Sequence, residues 1–274
     1  MKELVVDKRE KIECKKKLQE YLLHAPVCHV LQRIIEYRKI KEHKEKLIDP
    51  ILDIGCGDGI FASMLFDDSI FMGIDLSMSE IALARRKKIY KNLLVGSVEK
   101  LPFSSESFKT VSSNCVIEHI PNLENALKEI YRVLKKDGYF IFTVPSKLRE
   151  VYSPFPWMRQ VGINFFPNLM NKLLRLLWQE YHFYSPGVWK EKLEQTGFEV
   201  VICEYFFPKE AYATYGRFLF FSAISLITKK IFNRWILFSS WRNLFIPFIA
   251  KYLEKYYLLE GKDGTELLLI SYKK

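Results

Sequence analysis

Apolar residues recur at three- and four-residue spacing through the first segment of the chain: Leu18, Tyr21 and Leu22, then Val27, Val30, Leu31, Ile34 and Ile35. Charged residues fill the positions between them from Leu4 to Lys46, which is the pattern of a helix with one face turned to a core. Pro26 interrupts the run, so two amphipathic helices are predicted with a break there. The period changes at Pro50. Ile51-Leu52-Asp53-Ile54 is a short apolar run, Gly55, Gly57 and Gly59 follow at once, and Ile60 to Phe66 returns to helical spacing. That order reads as strand, glycine turn, helix.

The alternation continues. Strands are predicted at Phe71 to Ile74, Asn92 to Val95, Thr110 to Asn114 and Tyr139 to Val144, with helices over Ser79 to Lys91 and Asn122 to Leu134. Lys136-Asp137-Gly138 supplies a turn before the fourth of these strands. Strands alternating with helices of this length imply a parallel sheet covered on both faces, the α/β class. Residues 145–184 hold four prolines and many aromatics, and read as irregular with a helix near Leu169 to Trp178. Pro186 to Thr196 reads as a helix ended by Gly197, Phe198 to Tyr205 as a strand, and Glu266 to Tyr272 as the last strand after the turn Gly261-Lys262-Asp263-Gly264. The expected organisation is an N-terminal helical cap (1–49), an α/β domain (50–207 and 261–274) and a hydrophobic helical insertion (208–260).

Charge sharpens that division. Residues 1–49 carry 13 basic and 9 acidic side chains, residues 50–204 carry 18 of each, and residues 205–274 carry 11 basic and 5 acidic, so the net +10 lies at the two ends. Basic ends suit solvated helix faces, nucleic acid, an anionic membrane surface or an acidic substrate. The neutral body, and the lack of an Asn/Asp-Pro-Pro-Tyr tetrapeptide near Asn114, argue against specific nucleic-acid chemistry. Five widely spaced cysteines with no Cys-x-x-Cys pair predict a reduced, cytoplasmic setting and no metal. The alternating charges of Met1 to Lys17 lack the apolar stretch of an export signal.

Three glycines between a strand and a helix permit positive φ and a close ligand approach that a Cβ would block. The following helix would offer its free N–H groups and positive dipole end to a ligand anion. Asp75 closes the second strand 20 residues after Gly55, where a carboxylate can hold both ribose hydroxyls. Two features disfavour a dinucleotide: the third glycine comes one position early, with Ile60 where a dinucleotide site has it, and Asp58 would face the pyrophosphate. Asp53 is placed for a cation such as an amino group.

The run from Ile51 to Val144 resembles the class I methyltransferases, especially the branch acting on small molecules. Ile51 to Gly59 is similar to that family's first motif, Gly73-Ile74-Asp75-Leu76-Ser77 to its second, and Gly96-Ser97-Val98-Glu99-Lys100-Leu101-Pro102-Phe103 to its adenine-contacting stretch. Val116 to Ile120 resembles the segment after the fourth strand and Glu129 to Lys135 the fifth helix. The resemblance implies a Rossmann-like, doubly wound, mostly parallel seven-stranded sheet with an antiparallel last strand, and S-adenosyl-L-methionine as cofactor. It implies that Gly55, Cys56, Gly57 and Gly59 line the cofactor, that Asp75 binds its ribose, that Leu76, Ser97 and Val98 meet the adenine, and that Asn114 and Cys115 lie beside the methionine end. Ser97 stands where the family commonly has an aspartate, and Lys109 where an acid often precedes the fourth strand.

Methyl transfer from a sulfonium is an in-line displacement, and a base is needed only if the acceptor must lose a proton. His119, after the fourth strand, is the first candidate for that base; His182 and Tyr184, ahead of the helix at Pro186, are the others. In the insertion, residues 218–228 form an 11-residue uncharged run bounded by Arg217 and Lys229-Lys230, too short to span a bilayer. The run from Trp235 to Ala250 is broken by Arg242 and Asn243. A lid over an apolar acceptor, an element lying on a membrane surface and a homodimer interface all fit these residues. The first two imply a hydrophobic or amphipathic small-molecule acceptor. An NAD-dependent oxidoreductase and a non-catalytic cofactor-binding protein are the alternatives in other functional classes.

Overall fold

The computed structural model describes residues 8–156, 158, 162–163, 165, 169, 172, 179–232, 243–259 and 261–274. In chain order its main elements begin with α1 (Lys8–Leu22), α2 (Val27–Lys41), β1 (Ile51–Ile54), α3 (Ile60–Leu65), β2 (Ile70–Asp75), α4 (Met78–Ala84) and β3 (Tyr90–Val95). They continue with β4 (Phe108–Asn114), α5 (Leu123–Val133), β5 (Leu134–Pro145), α6 (Leu148–Val151) and α7 (Pro186–Thr196). The last are β6 (Phe198–Phe206), α8 (Lys209–Phe232), α9 (Ile246–Tyr257) and β7 (Glu266–Lys273). These fall into two compact units, one drawn from Ile40–Lys147, Arg175–Tyr205 and Glu266–Lys274, the other from Met1–Lys39, Leu148–Leu174 and Phe206–Thr265.

The first unit carries a seven-stranded sheet in the order β3-β2-β1-β4-β5-β7-β6. Strands β1 to β5 pair in parallel and β7 runs antiparallel to β5, as the resemblance implied. Side chains alternate across each strand. Leu52 and Ile54 of β1 therefore join the larger core with Val111, Phe140, Phe142, Leu127, Ile130 and Trp189. Ile51 faces the other way, into a core with Ala62, Ile70, Ile81, Ala84 and Tyr90.

Two local expectations give way to packing. The helix expected over Ser79 to Lys91 ends at Ala84, followed by a single 3-10 turn at Arg85–Lys87 and by Lys88 with φ +58°. Ile89 and Tyr90 are needed in the core, so the chain turns early and β3 starts at Tyr90. Lys136-Asp137-Gly138 lies inside β5: Leu134 pairs with Phe108 and Tyr139 with Thr110, and the irregularity between them takes up the left-handed Asp137. Residues 209–232 form one helix of 24 residues within the insertion expected to be helical. The helix expected near Leu169 to Trp178 lies, for most of its length, outside the described residues. Gly197, with φ +108°, ends α7 where expected.

The second unit is helical. Tyr257 donates to Glu10 Oε1 at 3.0 Å, tying α9 to α1. Arg38 of α2 reaches the Leu259 carbonyl at 3.2 Å, with its guanidinium 5.7 Å from the Tyr257 ring centre, and Thr214 of α8 donates to the Tyr256 hydroxyl at 2.8 Å. Gly216 allows α8 to pass Pro154, where a Cβ would fall 1.8 Å from the carbonyl oxygen. Among the described residues, no helix is long and apolar enough to cross a membrane.

Candidate functional site

Because β1 to β4 are parallel, the residues that follow Ile54, Asp75, Val95 and Asn114 all emerge at one edge of the sheet, its carboxyl edge. Ligands of such sheets gather there. The loop after β1 is anchored by the N–H groups of Gly55 and Cys56, which both donate to the Ile74 carbonyl, at 2.8 and 3.1 Å. Its three glycines are required for different reasons. All have positive φ, +67° at Gly55, +53° at Gly57 and +74° at Gly59. A Cβ at Gly55 would lie 2.4 Å from Val116 Cγ2, and one at Gly59 would press on Tyr90 and Ala84 at 3.2–3.3 Å. At Gly57 a Cβ would meet nothing within 4 Å. Gly55 and Gly59 are thus fixed by packing, and Gly57 is the point where the backbone faces open space.

Asp75 is the second fixed group. Its Oδ2 accepts the Gly57 N–H at 2.9 Å and its Oδ1 the Ser77 N–H at 2.8 Å, so one carboxylate joins the ends of β1 and β2. Asp53 has a different setting from the cation-binding one expected of it. It is 5% exposed, and its carboxylate accepts from Tyr90 at 2.7 Å and Ser112 at 3.1 Å. Burial, then the Asp53 charge, drives the Tyr90 phenol well above its ordinary pKa, so it stays protonated and donates. Cys56 sends its side chain into the core. There burial, with Asp53 and Asp75 behind it, raises the thiol far above its ordinary range. Only its backbone belongs to the loop. The N-terminus of α3 is also less available than expected, since Asp58 Oδ1 takes the Ile60 N–H at 3.1 Å.

Leu76, next to Asp75, is 75% exposed, an apolar side chain left open beside the loop. Ser97 caps a 3-10 turn, Val98–Lys100, by accepting the Glu99 N–H at 3.2 Å, and Val98 is buried under it. The far end of that stretch is clamped by α5. Glu129 accepts the Leu101 N–H at 2.8 Å, and Arg132 donates to the carbonyls of Leu101 and Phe103 at 2.9 and 2.7 Å while pairing with Glu129. The bond from Arg132 holds the Glu129 carboxyl below its usual pKa.

Asn114 ends β4 half-buried, and Cys115 follows with φ +53°, its N–H held by the Thr143 carbonyl and hydroxyl at 3.0 and 3.1 Å. A 3-10 turn, Ile117–His119, comes next. It receives a segment from far along the chain: the N–H groups of Tyr181 and His182 both donate to the Glu118 carbonyl, at 2.8 and 3.2 Å. All three catalytic candidates therefore cluster here. His182 sets Nε2 2.7 Å from the Ile120 carbonyl, which only an N–H can satisfy, leaving Nδ1 to accept from the Tyr184 hydroxyl at 3.1 Å. Burial lowers the His182 pKa, and the nearby Lys192 charge adds to that, against the opposing Ile120 bond. Tyr184 packs edge-to-face on Trp189 at 5.3 Å. His119 is more open, with Nδ1 3.3 Å from the Gln179 carbonyl and Nε2 3.8 Å from the carboxylate of the buried Glu118. Outside these segments, His43 lies 3.8 Å from Glu204, beside Glu42.

The sequence alone assigned no site role to Val116, Tyr90 or Thr143, which shape the site through contacts distant in the chain. Glu129 and Arg132 carried a signal, an opposite-charge pair at i,i+3 on a predicted helix.

The methyltransferase domain family matches residues 52–142. Over 180 residues the chain is 31% identical to the demethylmenaquinone methyltransferase of Lactobacillus johnsonii, covering 59% of this chain and 72% of that protein. Over 115 residues it is 42% identical to an uncharacterized protein of Methanocaldococcus jannaschii, covering 42% of this chain and 43% of that one. The chain spans about half the length of the curated relatives it first matches. A crystal structure of a Thermotoga maritima S-adenosylmethionine-dependent methyltransferase aligns over 90% of this chain and 91% of its own, with a TM-score of 0.52 and 20% identity, a likeness of fold. With the strand order, the open glycine loop and the carboxylate that ends β2, these matches show that the chain belongs to the class I S-adenosylmethionine-dependent methyltransferases.

Proposed function

We propose that this protein transfers a methyl group from S-adenosylmethionine to a small, hydrophobic or amphipathic acceptor. The observation that carries the reading is the pairing of an unobstructed backbone at Gly57 with the Asp75 carboxylate that grips the same loop. In it Gly55, Gly57, Gly59 and the backbone of Cys56 line the cofactor, Asp75 accepts from the ribose hydroxyls, and Leu76, Ser97 and Val98 flank the adenine. Asn114 and Cys115 border the methionine end. Asp53, already engaged by Tyr90 and Ser112, is assigned to holding β1, β3 and β4 together under the loop.

The acceptor side is read as the cluster around Ile117–His119. Displacement at the sulfonium methyl needs the acceptor atom aligned with it, and the segments that meet at Glu118 supply walls for that alignment. Where the acceptor carries a proton, the hydrogen-bonded pair Tyr184–His182 can take it, with His119 as a second, more exposed base. Relatives named demethylmenaquinone methyltransferase favour a quinone-like, apolar acceptor, while one named malonyl-[acyl-carrier protein] O-methyltransferase acts on a carrier-bound acid. An apolar acceptor is met at an anionic membrane surface or under an apolar lid, and residues 208–260 are the segment we assign to that encounter.

Titration calorimetry tests the cofactor half. S-adenosylmethionine should bind the natural chain, and Asp75→Ala should weaken binding about 100-fold, the loss expected for hydrogen bonds to an ionised acceptor. Equal binding by Asp75→Ala, or no heat from the natural chain, would remove the reading. Transfer of label from methyl-tritiated cofactor into a lipid extract, but not into water-soluble metabolites, checks the acceptor class.

A further inference from the structure

Helix α9 has two apolar sides. Ile246, Ala250, Leu253 and Tyr257 are buried in the helical unit. At about 100° per residue, Phe248 falls on the opposite side of the helix, flanked by Tyr252 and by the extension of the helical path back to Leu244. Phe248 is 74% exposed and Leu244 72%; Phe245 and Tyr252 are exposed too. Lys251 and Lys255 point to this same side, and the Lys255 ammonium rests 4.3 Å from the centre of the Tyr252 ring. Glu254, the only acid between Asn243 and Leu258, lies about a quarter turn away from that face.

From this face we infer that α9 is a membrane-surface element that lays Leu244, Phe248 and Tyr252 into the headgroup boundary of an anionic bilayer, with Lys251 and Lys255 at the phosphates. The inference rests on the proposed apolar acceptor only for its biological sense; the geometry stands apart from it. Charge selects the occupant. Residues 205–274 carry 11 basic and 5 acidic side chains, whereas the 50–204 body is balanced. Lysines are depleted from protein–protein interfaces, and in a two-fold contact between copies the two lysines would face their own counterparts. An anionic lipid surface instead gains from each of them. The arrangement matches helices that lie in the interface plane, apolar residues inward and Lys stems reaching outward, and among the described residues no helix is long and apolar enough to cross a membrane.

Co-sedimentation with phosphatidylcholine vesicles, with and without phosphatidylglycerol, tests this on the full chain without cofactor or acceptor. Binding should appear with the phosphatidylglycerol vesicles at low salt and weaken as salt rises. Phe248→Asp should lower the partition coefficient about ten-fold or more, the scale of losing one buried aromatic ring. Lys251→Ala with Lys255→Ala should lower it about 25-fold on the anionic vesicles and little on neutral ones; being at exposed positions, this pair keeps the test open if Phe248→Asp does not fold. Retained S-adenosylmethionine affinity in both variants, measured by calorimetry, separates failure here from failure of the methyl-transfer reading. No sedimentation with anionic vesicles, binding untouched by either variant, or a dimer in sedimentation velocity that Phe248→Asp dissolves would each overturn the inference.

Discussion

Between Gly55 and Gly59 the backbone itself forms an open surface: positive φ at three positions, nothing within 4 Å of where a Gly57 Cβ would stand, and one carboxylate that fixes the loop from the next strand. From Val116 to His119 and from Gln179 to Tyr184 the offered atoms belong to side chains, and backbone carbonyls some sixty residues away orient them. In the proposed reading the first region meets the cofactor through its backbone and one carboxylate, so its recognition depends little on the side chains around it. The second can change with few substitutions, since a new side chain on the same carbonyl anchors presents a new wall. That division of labour suits a family with one methyl donor and many acceptors.

The comparison breaks most sharply at Gly55. Gly55→Ala should destabilise the fold by about 2–5 kcal/mol, adding the cost of a left-handed non-glycine residue to that of overpacking against Val116. Gly57→Ala carries only the conformational part, about 1–2 kcal/mol, and should instead lose cofactor binding, because its new methyl group enters the open side of the loop. Urea unfolding and calorimetry on the two variants measure both quantities. A second substitution, Val116→Ala, should return part of the stability to Gly55→Ala and none to Gly57→Ala. Equal stability loss in the two glycine variants would erase the distinction between packed and open positions.

On the acceptor side, Tyr184→Phe removes the proton that His182 Nδ1 accepts while leaving the ring on Trp189. Turnover should fall about 100-fold, at the lower end of general acid–base effects, with cofactor affinity unchanged; His119→Ala should lower it less. The pH profile separates a chemical role from a structural one. Burial favours neutral His182, so its pKa lies below the ordinary 6.5 of imidazole, and the acid limb of turnover should fall below that pH in the natural chain and vanish in Tyr184→Phe. Stability moves in the same direction: below pH 6.5 the unfolded chain takes up the proton before the folded one does, so folding free energy declines as pH drops through that interval. An unaltered acid limb in Tyr184→Phe would show that the pair does not carry the proton.

How much of this was legible depended on distance along the chain. The strand, glycine turn and helix at Ile51 to Leu65 and the helix from Pro186 to Gly197 could be read because their signals, glycines between two periodic runs and a Pro and a Gly at the helix ends, lie within a few residues of one another. The early end of α4 could not, since nothing local marks Tyr90 as the residue that must reach Asp53, 37 positions before it. The joining of Tyr181 and His182 to Glu118, and of Tyr257 to Glu10, is likewise a product of tertiary packing. Asp53 shows what a motif leaves out: its position beside the glycine loop suggested a ligand contact, and the motif gave no sign that β1 alternation turns it toward Tyr90 and Ser112.

Ser97 gives the finest test of the cofactor side. Its hydroxyl accepts the Glu99 N–H, and aspartate caps such a turn as well as serine does, so Ser97→Asp should leave stability within about 0.5 kcal/mol. The longer carboxylate would add an ionised acceptor where the family resemblance implies the adenine amino group. A hydrogen bond to a charged group contributes about 1.5–3 kcal/mol net of the exchange with water, and the low end of that range is about a ten-fold gain in affinity. Calorimetry with S-adenosylmethionine, and with an analogue whose adenine amine is replaced by a carbonyl oxygen, reads the result. A gain confined to the natural cofactor locates the adenine at the Val98–Lys100 turn. A gain with both ligands, or with neither, means that the base lies elsewhere along the strand ends and that Ser97 serves the turn alone.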